Sequence, residues 1–304
     1  MKPARFNSIF PGVLALSLLF AGCELVLADG FYASDQTGDI NRISSVGVVT
    51  TYATIPGSSD LPEGLALDSG GTLYIANAGQ GLLWKIPPGG TLSPFASPGS
   101  QVYSYGLTFG ANGNLFAAMV GLNVGRVDQI TPDGVISTFA SLPAGAEPFG
   151  LAFDKTGNLF VSDALYENVY RITPLGSVSL FASLPTGLYL MGLTFDVSGN
   201  LFVADYGGPV YKITPEGNIS TYATLPSTAG LKGLLYDDGY LYVAEQNRNV
   251  IGRISTAPGP SEGVISDFAQ MHAPQFLVAI PEPTALALLV LGMLVLQGGR
   301  SFRD

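Results

Sequence analysis

Short apolar runs with the composition of β-strands recur along the chain, and most of them end on an acid or an amide. Their last residues are Asp35, Asn77, Met119, Asp163, Asp205 and Glu245, as in the runs LFVSD, LFVAD and LYVAE. Runs of about five residues that are rich in aromatic and β-branched side chains are typical of buried strands. The pattern therefore predicts many short strands and no large helical part.

Each run belongs to a longer unit that repeats. One full unit, residues 192–224, is GLTFDVSGNLFVADYGGPVYKITPEGNISTYAT, and counterparts begin at Gly64, Gly106, Gly150 and Gly233, which are 41 to 44 residues apart. Turn sequences separate four strand-like segments in each unit: Asp-x-x-Gly-Asn follows the first segment, and Pro-x-Gly follows the third. Four antiparallel strands with this period predict one blade of a β-propeller.

The two ends of the repeat region predict how the ring closes. Asp29-Gly30 corresponds to the turn before a second strand, so the first blade lacks its innermost strand. The segment APQFLVAI, residues 273–280, aligns with EPFGLAFD, residues 147–154, and keeps the period. We therefore expect the last strand to complete the first blade. The predicted fold is an all-β, six-bladed β-propeller over residues 29–280 with no open edge between first and last blades.

This pattern resembles the NHL-repeat and gluconolactonase-like propellers over nearly the whole of residues 29–280. In such propellers, strands a to d run outward from the centre, and the end of strand b shares a face with the loop entering strand a. We call this face the mouth face. The resemblance implies that it gathers the strand-b acids and the residues that precede each strand-a glycine or its equivalent, namely Glu63, Tyr105, Phe149, Met191, Lys232 and Gln275.

The recurring acids have two interpretations. They can hold the turn between strands b and c by accepting backbone amides, which needs no ligand. Alternatively, oxygen atoms from separate blades suit Ca²⁺, and the candidate metal ligands are then Glu63, Asn77, Asp163 and Asp205. A wider set of candidate ligand-binding residues at the mouth is Glu63, Tyr105, Phe149, Asp163, Asp205, Tyr206, Lys232 and Glu245.

The resemblance to lactonases bears on the metal interpretation. In that family a Glu before the first strand-a glycine, and an Asn and an Asp before later ones, hold a divalent metal. Glu63 fits the first position, whereas Phe149, Met191 and Lys232 stand where Asn or Asp is expected. Two apolar side chains and a cation at these positions supply few further metal ligands beside Glu63. The metal site of the lactonases is therefore incomplete in this sequence.

Aromatic and basic residues follow the repeat as well. One aromatic position in strand d, at Tyr52, Phe95, Phe139, Phe181, Tyr222 and Phe268, predicts packing between blades, as does a strand-b position at Phe116, Phe160 and Phe202. We expect the strand-c cations to pair with carboxylates across strands: Arg42, Lys85, Arg171, Lys212 and Arg253. Five aromatics near the mouth depart from the repeat and either stack on a sugar or peptide or cover the blade ends: Tyr105, Phe149, Tyr166, Tyr189 and Tyr206.

Charge and composition exclude several other functions. The net charge of −10 argues against nucleic-acid binding. His272 is the only histidine, which excludes a multi-histidine metal site and leaves a single candidate base for a Ser-His-Asp triad. Virginiamycin B lyase, a propeller enzyme that this pattern resembles, also relies on histidine. No glycine-rich phosphate loop is present, and Cys23 is the only cysteine.

The N-terminus predicts export. Lys2 and Arg5 precede an apolar run, and Val26-Leu27-Ala28 resembles a cleavage site, so residues 1–28 form a secretory signal. The sequence around Cys23 resembles a lipobox, although Phe20 stands where Leu is preferred. Cys23 is therefore either lipidated or discarded with the leader.

The C-terminus, residues 281–304, resembles a PEP-CTERM sorting tail of Gram-negative bacteria. It contains the motif Pro281-Glu282-Pro283, an apolar run over residues 284–296, and the basic residues Arg300 and Arg303. The resemblance implies transient anchoring in the inner membrane, with both arginines cytoplasmic, followed by cleavage by an exosortase-type enzyme and transfer to the cell surface. The alternative is an ordinary C-terminal anchor helix with the same topology.

Together these features predict an exported, surface-sorted propeller that acts as a non-enzymatic binding or scaffold module for extracellular polysaccharide or protein. A divalent-metal-dependent lactonase or hydrolase of the gluconolactonase-like class is the alternative, with calcium as its candidate metal. A third hypothesis is a matrix protein whose blades only associate with one another.

Overall fold

A computed structural model of the chain describes residues 30–281, apart from residues 58–60, 80, 100, 122–123 and 186–188. These described residues form 24 β-strands and one short 3₁₀ helix, Gln246–Arg248. The strands make six four-stranded antiparallel sheets, which confirms the predicted six-bladed propeller. The predicted signal and sorting tail lie outside the described residues. Within those residues, no helix has the length and apolar character that crossing a membrane requires.

Blade 1 combines the last strand of the described chain with the first three, and blades 2 and 3 follow in chain order. Blade 1 contains, from the centre outward, β24 (Pro274–Ala279), β1 (Gly30–Asp35), β2 (Asp39–Ser44) and β3 (Val49–Thr54). Blade 2 contains β4 (Pro62–Leu67), β5 (Leu73–Asn77), β6 (Leu82–Ile86) and β7 (Ser93–Ala96). Blade 3 contains β8 (Val102–Phe109), β9 (Leu115–Gly121), β10 (Val124–Ile130) and β11 (Ile136–Ser141).

The other three blades each use four consecutive strands. Blade 4 contains β12 (Pro148–Phe153), β13 (Leu159–Asp163), β14 (Asn168–Ile172) and β15 (Val178–Ser183). Blade 5 contains β16 (Leu190–Phe195), β17 (Leu201–Asp205), β18 (Pro209–Ile213) and β19 (Ile219–Thr224). Blade 6 contains β20 (Leu231–Asp237), β21 (Tyr240–Glu245), β22 (Val250–Ser255) and β23 (Ile265–Gln270).

The turns between strands a and b form as their sequence predicts. The Asp154 Oδ1 atom accepts the backbone N–H groups of Thr156 and Asn158, both at 2.8 Å. Its Oδ2 atom accepts the side-chain amide of Asn158 at 2.9 Å. Gly157 supplies the left-handed conformation, with φ of 84°. The Asp154 side chain thus takes the place of the strand hydrogen bonds that end at this turn. The chain can therefore reverse direction within a few residues.

The closing strand pairs with the first strand as expected. Strand β24 runs antiparallel to β1, with Phe31 opposite Ala279 and Ala33 opposite Leu277. The Ile280 N–H then donates to the carbonyl of Gly30 at 3.0 Å. The ring is therefore closed by hydrogen bonds between the two ends of the described chain.

The innermost strands approach one another so closely that most need glycine. A Cβ atom added to Gly150 would lie 2.7 Å from the carbonyl oxygen of Met191 in the next blade, and one added to Gly64 would collide with the carbonyl oxygen of Tyr105. Blade 1 differs, because Phe276 occupies the position of the repeat glycine. Its ring stacks on Phe149 of blade 4, with centroids 5.3 Å apart.

Aromatic rings join neighbouring blades, as the repeat predicts. Phe160 of strand b contacts Phe181 of its own blade edge to face at 4.9 Å and Phe195 of the next blade at 5.1 Å. Blades 2 and 3 have the same arrangement around Tyr74 and Phe116. Edge-to-face contacts of this kind stabilise pairs beyond their simple burial.

The expectation for the strand-c cations is wrong for several of them. The Lys85 Nζ atom lies 5.1 Å from the ring centroid of Phe95, and the Arg253 guanidinium lies 4.6 Å from that of Tyr240. Lys212 likewise lies over an aromatic ring of its own blade. Aromatic rings of strands b and d lie beside these cations, so their electron-rich faces take the place of the predicted carboxylates.

The chain leaves the propeller at the face opposite the mouth. Strand a runs away from the mouth, so β24 ends on this opposite face, which we call the distal face. Ile280 and Pro281 line one cavity there together with Asp237 and Asp238, which belong to the a–b turn of blade 6.

Replacing Phe276 by Ala should destabilise the closed ring by about 3 to 5 kcal/mol, because a large ring is lost from the centre and a cavity remains. The measurement is the free energy of unfolding from urea titrations. The matched control is Leu175→Ala, at a side chain that is 94% exposed, and it should change stability by less than about 0.5 kcal/mol. An equal effect of the two substitutions would show that Phe276 is not part of the closure.

Candidate functional site

Six side chains from the six innermost strands define the mouth of the central channel. They are Glu63, Tyr105, Phe149, Met191, Lys232 and Gln275, each in the first half of its strand. The rings of Tyr105 and Phe149 stack, with centroids 5.0 Å apart and planes inclined by 28°. The Lys232 Nζ atom lies 5.1 Å from the Phe149 ring centroid and 5.9 Å from that of Tyr206. The structure thus brings several predicted mouth residues into contact.

Aromatic rings extend across the channel at this mouth. Phe276 and Phe149 belong to blades 1 and 4, which lie on opposite sides of a six-membered ring. Because Phe149 stacks on both Phe276 and Tyr105, three rings form a continuous stack across the centre. The mouth therefore has an aromatic floor.

Glu63 is the electrostatically unusual residue of the mouth. Only 7% of the residue is exposed, and its Oε2 atom has no hydrogen-bond partner among the described residues. Burial raises the pKa of Glu63 to about 7, although the nearby Lys232 ammonium opposes this rise. Burial also raises the pKa of Tyr105, with Glu63 and Glu147 adding to the effect. Glu63 consequently titrates near neutrality.

Gln275 is the second buried mouth residue with an unsatisfied atom. Its Nε2 atom donates to the carbonyl of Ala273 at 3.0 Å. Its Oε1 atom, by contrast, is buried and has no partner among the residues that the structure describes. Two hydrogen-bond acceptors, on neighbouring innermost strands, are thus left without donors, which is costly inside a protein.

Asp35, Asp163 and Asp205 hold the turns between strands b and c. Asp35 accepts the amide N–H and the hydroxyl of Thr37, at 2.8 and 2.6 Å, and the side-chain amide of Asn41 at 2.9 Å. The other two acids follow the same scheme with different donors.

The Asp163 Oδ1 atom accepts the N–H groups of Glu147 and Leu165, both at 3.0 Å. Asp205 accepts the N–H of Gly207 at 2.9 Å. Burial raises the pKa of Asp205, and its hydrogen bond from Gly207 works in the opposite direction. These carboxylates end their strands and have a structural role in the turns that follow.

Glu245 has an ionic partner in place of turn amides. Its Oε2 atom accepts from Arg248 Nη1 at 2.6 Å, and Arg248 Nη2 also donates to Asp267 at 3.0 Å. Burial raises the pKa of Glu245, and Arg248 partly offsets the rise. The longer side chain fits because Gly252 lies beside it, where a Cβ atom would collide with Glu245 Oε1.

The candidate metal ligands do not assemble. Within the described residues, no group of three or more His, Cys, Asp or Glu side chains could hold a metal ion, so Glu63, Asp163 and Asp205 do not form such a group. Asn77, the fourth candidate, is fully buried. Phe149, Met191 and Lys232 occupy the later ligand positions of the lactonase pattern, and an apolar or cationic side chain there does not fit a divalent metal.

Exposed tyrosines border the mouth. Tyr166 is 49% exposed in the b–c turn of blade 4, and Tyr189 is 51% exposed in the loop that enters β16. Tyr206 is partly buried, and its hydroxyl accepts from Asn247 Nδ2 at 3.3 Å. Sequence analysis missed Tyr103, which is similarly exposed at the start of β8. The signal in the sequence was that Tyr103, an aromatic residue, closely precedes the predicted mouth residue Tyr105.

Two buried serines that join blades were also missed. Ser162 Oγ accepts the Gly150 N–H at 2.8 Å and donates to the Met191 carbonyl of blade 5 at 2.6 Å. Ser34 joins Phe276 to Glu63 of blade 2 in the same way, at 3.1 and 2.7 Å. The signal was a Ser before the strand-b Asp in blades 1 and 4, where the other four blades have Ala.

Comparison with solved structures shows the fold. A streptogramin B lyase has 20% identity and a TM-score of 0.64, covering 83% of this chain and 88% of its own. A chain of a nidogen/laminin complex has 18% identity and a TM-score of 0.68, covering 81% and 97%. A putative gluconolactonase has 20% identity and a TM-score of 0.56, covering 71% and 87%. No protein-family model and no curated protein matches the chain.

These similarities show that the chain shares the propeller fold of several solved structures. Two of the three structures are named for an enzymatic activity and the third for a complex of two proteins. At such low identity, this likeness shows the fold alone, and fold does not decide activity.

Replacing Glu63 by Gln should stabilise the protein increasingly as pH rises. The pKa of Glu63 is about 7 when folded and about 4.5 when exposed, so ionisation at high pH opposes folding. The difference between variant and wild type should be small at pH 5 and reach about 3 kcal/mol at pH 8. Urea titrations at intervening pH values check this.

The control is Glu216→Gln. Glu216 is exposed, and hydrogen bonding within its turn lowers its pKa, so this change should leave the pH dependence between 5 and 8 unaltered. A flat difference for Glu63→Gln over the same range would contradict the electrostatic description of the mouth.

Proposed function

We propose that the protein is an exported, surface-sorted propeller that binds extracellular polysaccharide or protein through its mouth face without catalysing a reaction. The observation that carries the proposal is the pair of exposed tyrosines, Tyr166 and Tyr189, beside a mouth whose floor is an aromatic stack. A tyrosine combines a flat apolar face with a polar hydroxyl, and it contributes large contact area at low entropic cost.

The mouth face offers complementary chemistry for such a ligand. The tyrosine faces suit the apolar face of a sugar ring or an aromatic side chain of a peptide. Glu63 Oε2 and Gln275 Oε1 are acceptors without donors, and Lys232 brings a cation close to Phe149 and Tyr206. A ligand with hydroxyl or amide donors would therefore satisfy groups that the protein leaves unpaired.

The acids of the b–c turns support binding over catalysis. One oxygen of Asp163 and one of Asp205 accept backbone amides of their own turns, and one oxygen of Glu245 pairs with Arg248. The other oxygens of Asp163 and Glu245 are buried without a partner among the described residues. Carboxylates committed in this way stabilise the loops that carry Tyr166 and Tyr206. They give the mouth a rigid rim, which lowers the entropic cost of binding.

Export and sorting rest on the two terminal segments of the sequence. A leader over residues 1–28 and a tail over residues 281–304 would place the propeller outside the cytoplasm, first held at the inner membrane and then released by an exosortase-type enzyme. Because Pro281 leaves from the distal face, the mouth would point away from the membrane during anchoring.

Replacing Tyr166 and Tyr189 by Ala should each weaken ligand binding roughly tenfold, the effect of losing about 1.4 kcal/mol of stacking. The ligand is identified first by screening the propeller, residues 29–281, on glycan arrays and against extracellular matrix polysaccharides of Gram-negative bacteria. Affinities of the variants are then measured by surface plasmon resonance.

Tyr52→Ala is the matched control, since Tyr52 is also partly exposed but lies on the outermost strand β3. Its affinity should equal that of the wild type. If Tyr52→Ala weakens binding as much as Tyr166→Ala, the ligand contacts the outer strands, and the mouth-face proposal is wrong.

The second candidate function is a divalent-metal-dependent lactonase or hydrolase, which Glu63 alone favours. Its buried, unpaired Oε2 atom stands at the position of a lactonase metal ligand, and solved structures with this fold include a putative gluconolactonase. The later ligand positions do not fit a metal, so no catalytic step is derived for it.

Calorimetric titration with Ca²⁺ and Zn²⁺ separates the two candidate functions. The binding-module proposal expects no saturable heat at millimolar metal, because Glu63 lacks oxygen-bearing neighbours at the later ligand positions. Saturable binding that disappears in Glu63→Gln but persists in Glu216→Gln would instead support the lactonase, and lactone hydrolysis would then be assayed.

A further inference from the structure

The two faces of the propeller expose different kinds of apolar side chain. The mouth face exposes mainly tyrosines together with Leu61 and Leu165, whereas the distal face exposes aliphatic side chains at the tips of its turns. These tips belong to five blades and are Val46, Val135, Leu175, Val197 and Val264. Leu175 and Val46 are the most exposed large apolar residues among those described, at 94% and 80%.

The turns that carry these side chains are tightly ordered. Around Leu175, the Thr173 carbonyl accepts the Gly176 N–H at 2.9 Å, and the Thr173 Oγ1 atom accepts the Ser177 N–H at 3.2 Å. Gly176 has a φ of 82°, which permits the sharp reversal. An aliphatic side chain held at such a tip needs little ordering when it enters an apolar medium.

The length of chain beyond the propeller limits how far this face can lie from the anchoring segment. Pro281 is the last described residue and lies at the distal face, and the predicted apolar run begins at residue 284. The intervening chain spans at most roughly 10 Å. An anchor that enters the bilayer at residue 284 therefore holds the distal face against the lipid headgroups.

We propose that the distal face is a membrane-contact surface, on which the aliphatic turn tips enter the interfacial region of the bilayer while the chain is anchored. This inference rests on the proposed anchoring of the tail. Amphipathic helices bind membranes by burying apolar area at the boundary between headgroups and acyl chains, and the aliphatic turn tips would bury apolar area at the same depth. Such contact restrains the propeller about its short tether with the mouth turned outward.

Charges on the same face define the preferred lipid. Asp133, Glu216 and Glu262 are exposed on turns between strands c and d, so the face repels anionic headgroups. The Lys155 ammonium lies on this face but donates to the Val197 carbonyl. Contact should therefore be stronger with phosphatidylcholine vesicles than with vesicles that contain phosphatidylglycerol.

The test uses the full chain in phosphatidylcholine vesicles, with Cys23→Ala as background and one introduced cysteine that carries an environment-sensitive fluorophore. Leu175→Cys and Val197→Cys report on the distal face. Leu165→Cys is the matched control, because Leu165 is also exposed but lies in a b–c turn at the mouth. Quenching by aqueous iodide should be at least roughly threefold weaker at positions 175 and 197 than at position 165.

Two other outcomes overturn the inference in distinguishable ways. If the labelled chain floats with the vesicles but all three positions are quenched equally, the distal face does not contact lipid, although the anchor stands. If the chain fails to float, the proposed anchoring is wrong and the inference falls with it. If shielding at position 175 disappears at low protein-to-lipid ratio, a second copy covers the face instead.

Discussion

The pairing of β24 with β1 is the interaction on which the rest of the structure depends. It joins the two ends of the described chain by strand hydrogen bonds and completes blade 1, so the propeller has no open edge at its seam. The same strand carries Phe276 to the centre, where it stacks on Phe149 of the opposite blade. One six-residue segment therefore closes the ring and also contributes one of the three aromatic rings in the floor of the mouth.

Closure also sets the chemistry of the mouth. The innermost strands pack backbone against backbone through most of their glycines, which leaves the residue before each glycine to face the centre of the ring. Glu63 and Gln275 are buried there with acceptors that nothing in the described protein satisfies. A carboxyl that titrates near pH 7 is a direct result of this geometry, because burial opposes its charge more strongly than Lys232 favours it.

The propeller separates its roles by face. Strand b ends and strand a begins at the mouth, so turn-holding carboxylates and irregular aromatics gather there. Strand a ends at the opposite face, so the C-terminal segment leaves among aliphatic turn tips. This division follows from the antiparallel order of four strands in each blade, and it would put the proposed binding and attachment surfaces on opposite faces.

The sequence by itself determined the architecture. The period of the glycines, the Asp-x-x-Gly-Asn and Pro-x-Gly turns and the displaced last strand specify six blades and their closure, because turn chemistry and strand alternation are local properties of the chain. The composition of the mouth was equally accessible, since residues such as Glu63 and Lys232 occupy one repeat position in the sequence.

Only the tertiary structure decided which partners these side chains have. Lys85 and Arg253 lie over aromatic rings in place of carboxylates, and Glu245 pairs with an arginine. Ser34 and Ser162 form hydrogen bonds that join neighbouring blades. The tertiary structure also left Glu63 without a hydrogen bond at Oε2. Such partners come from other strands and other blades, so their identity depends on distances across the ring that no local pattern contains.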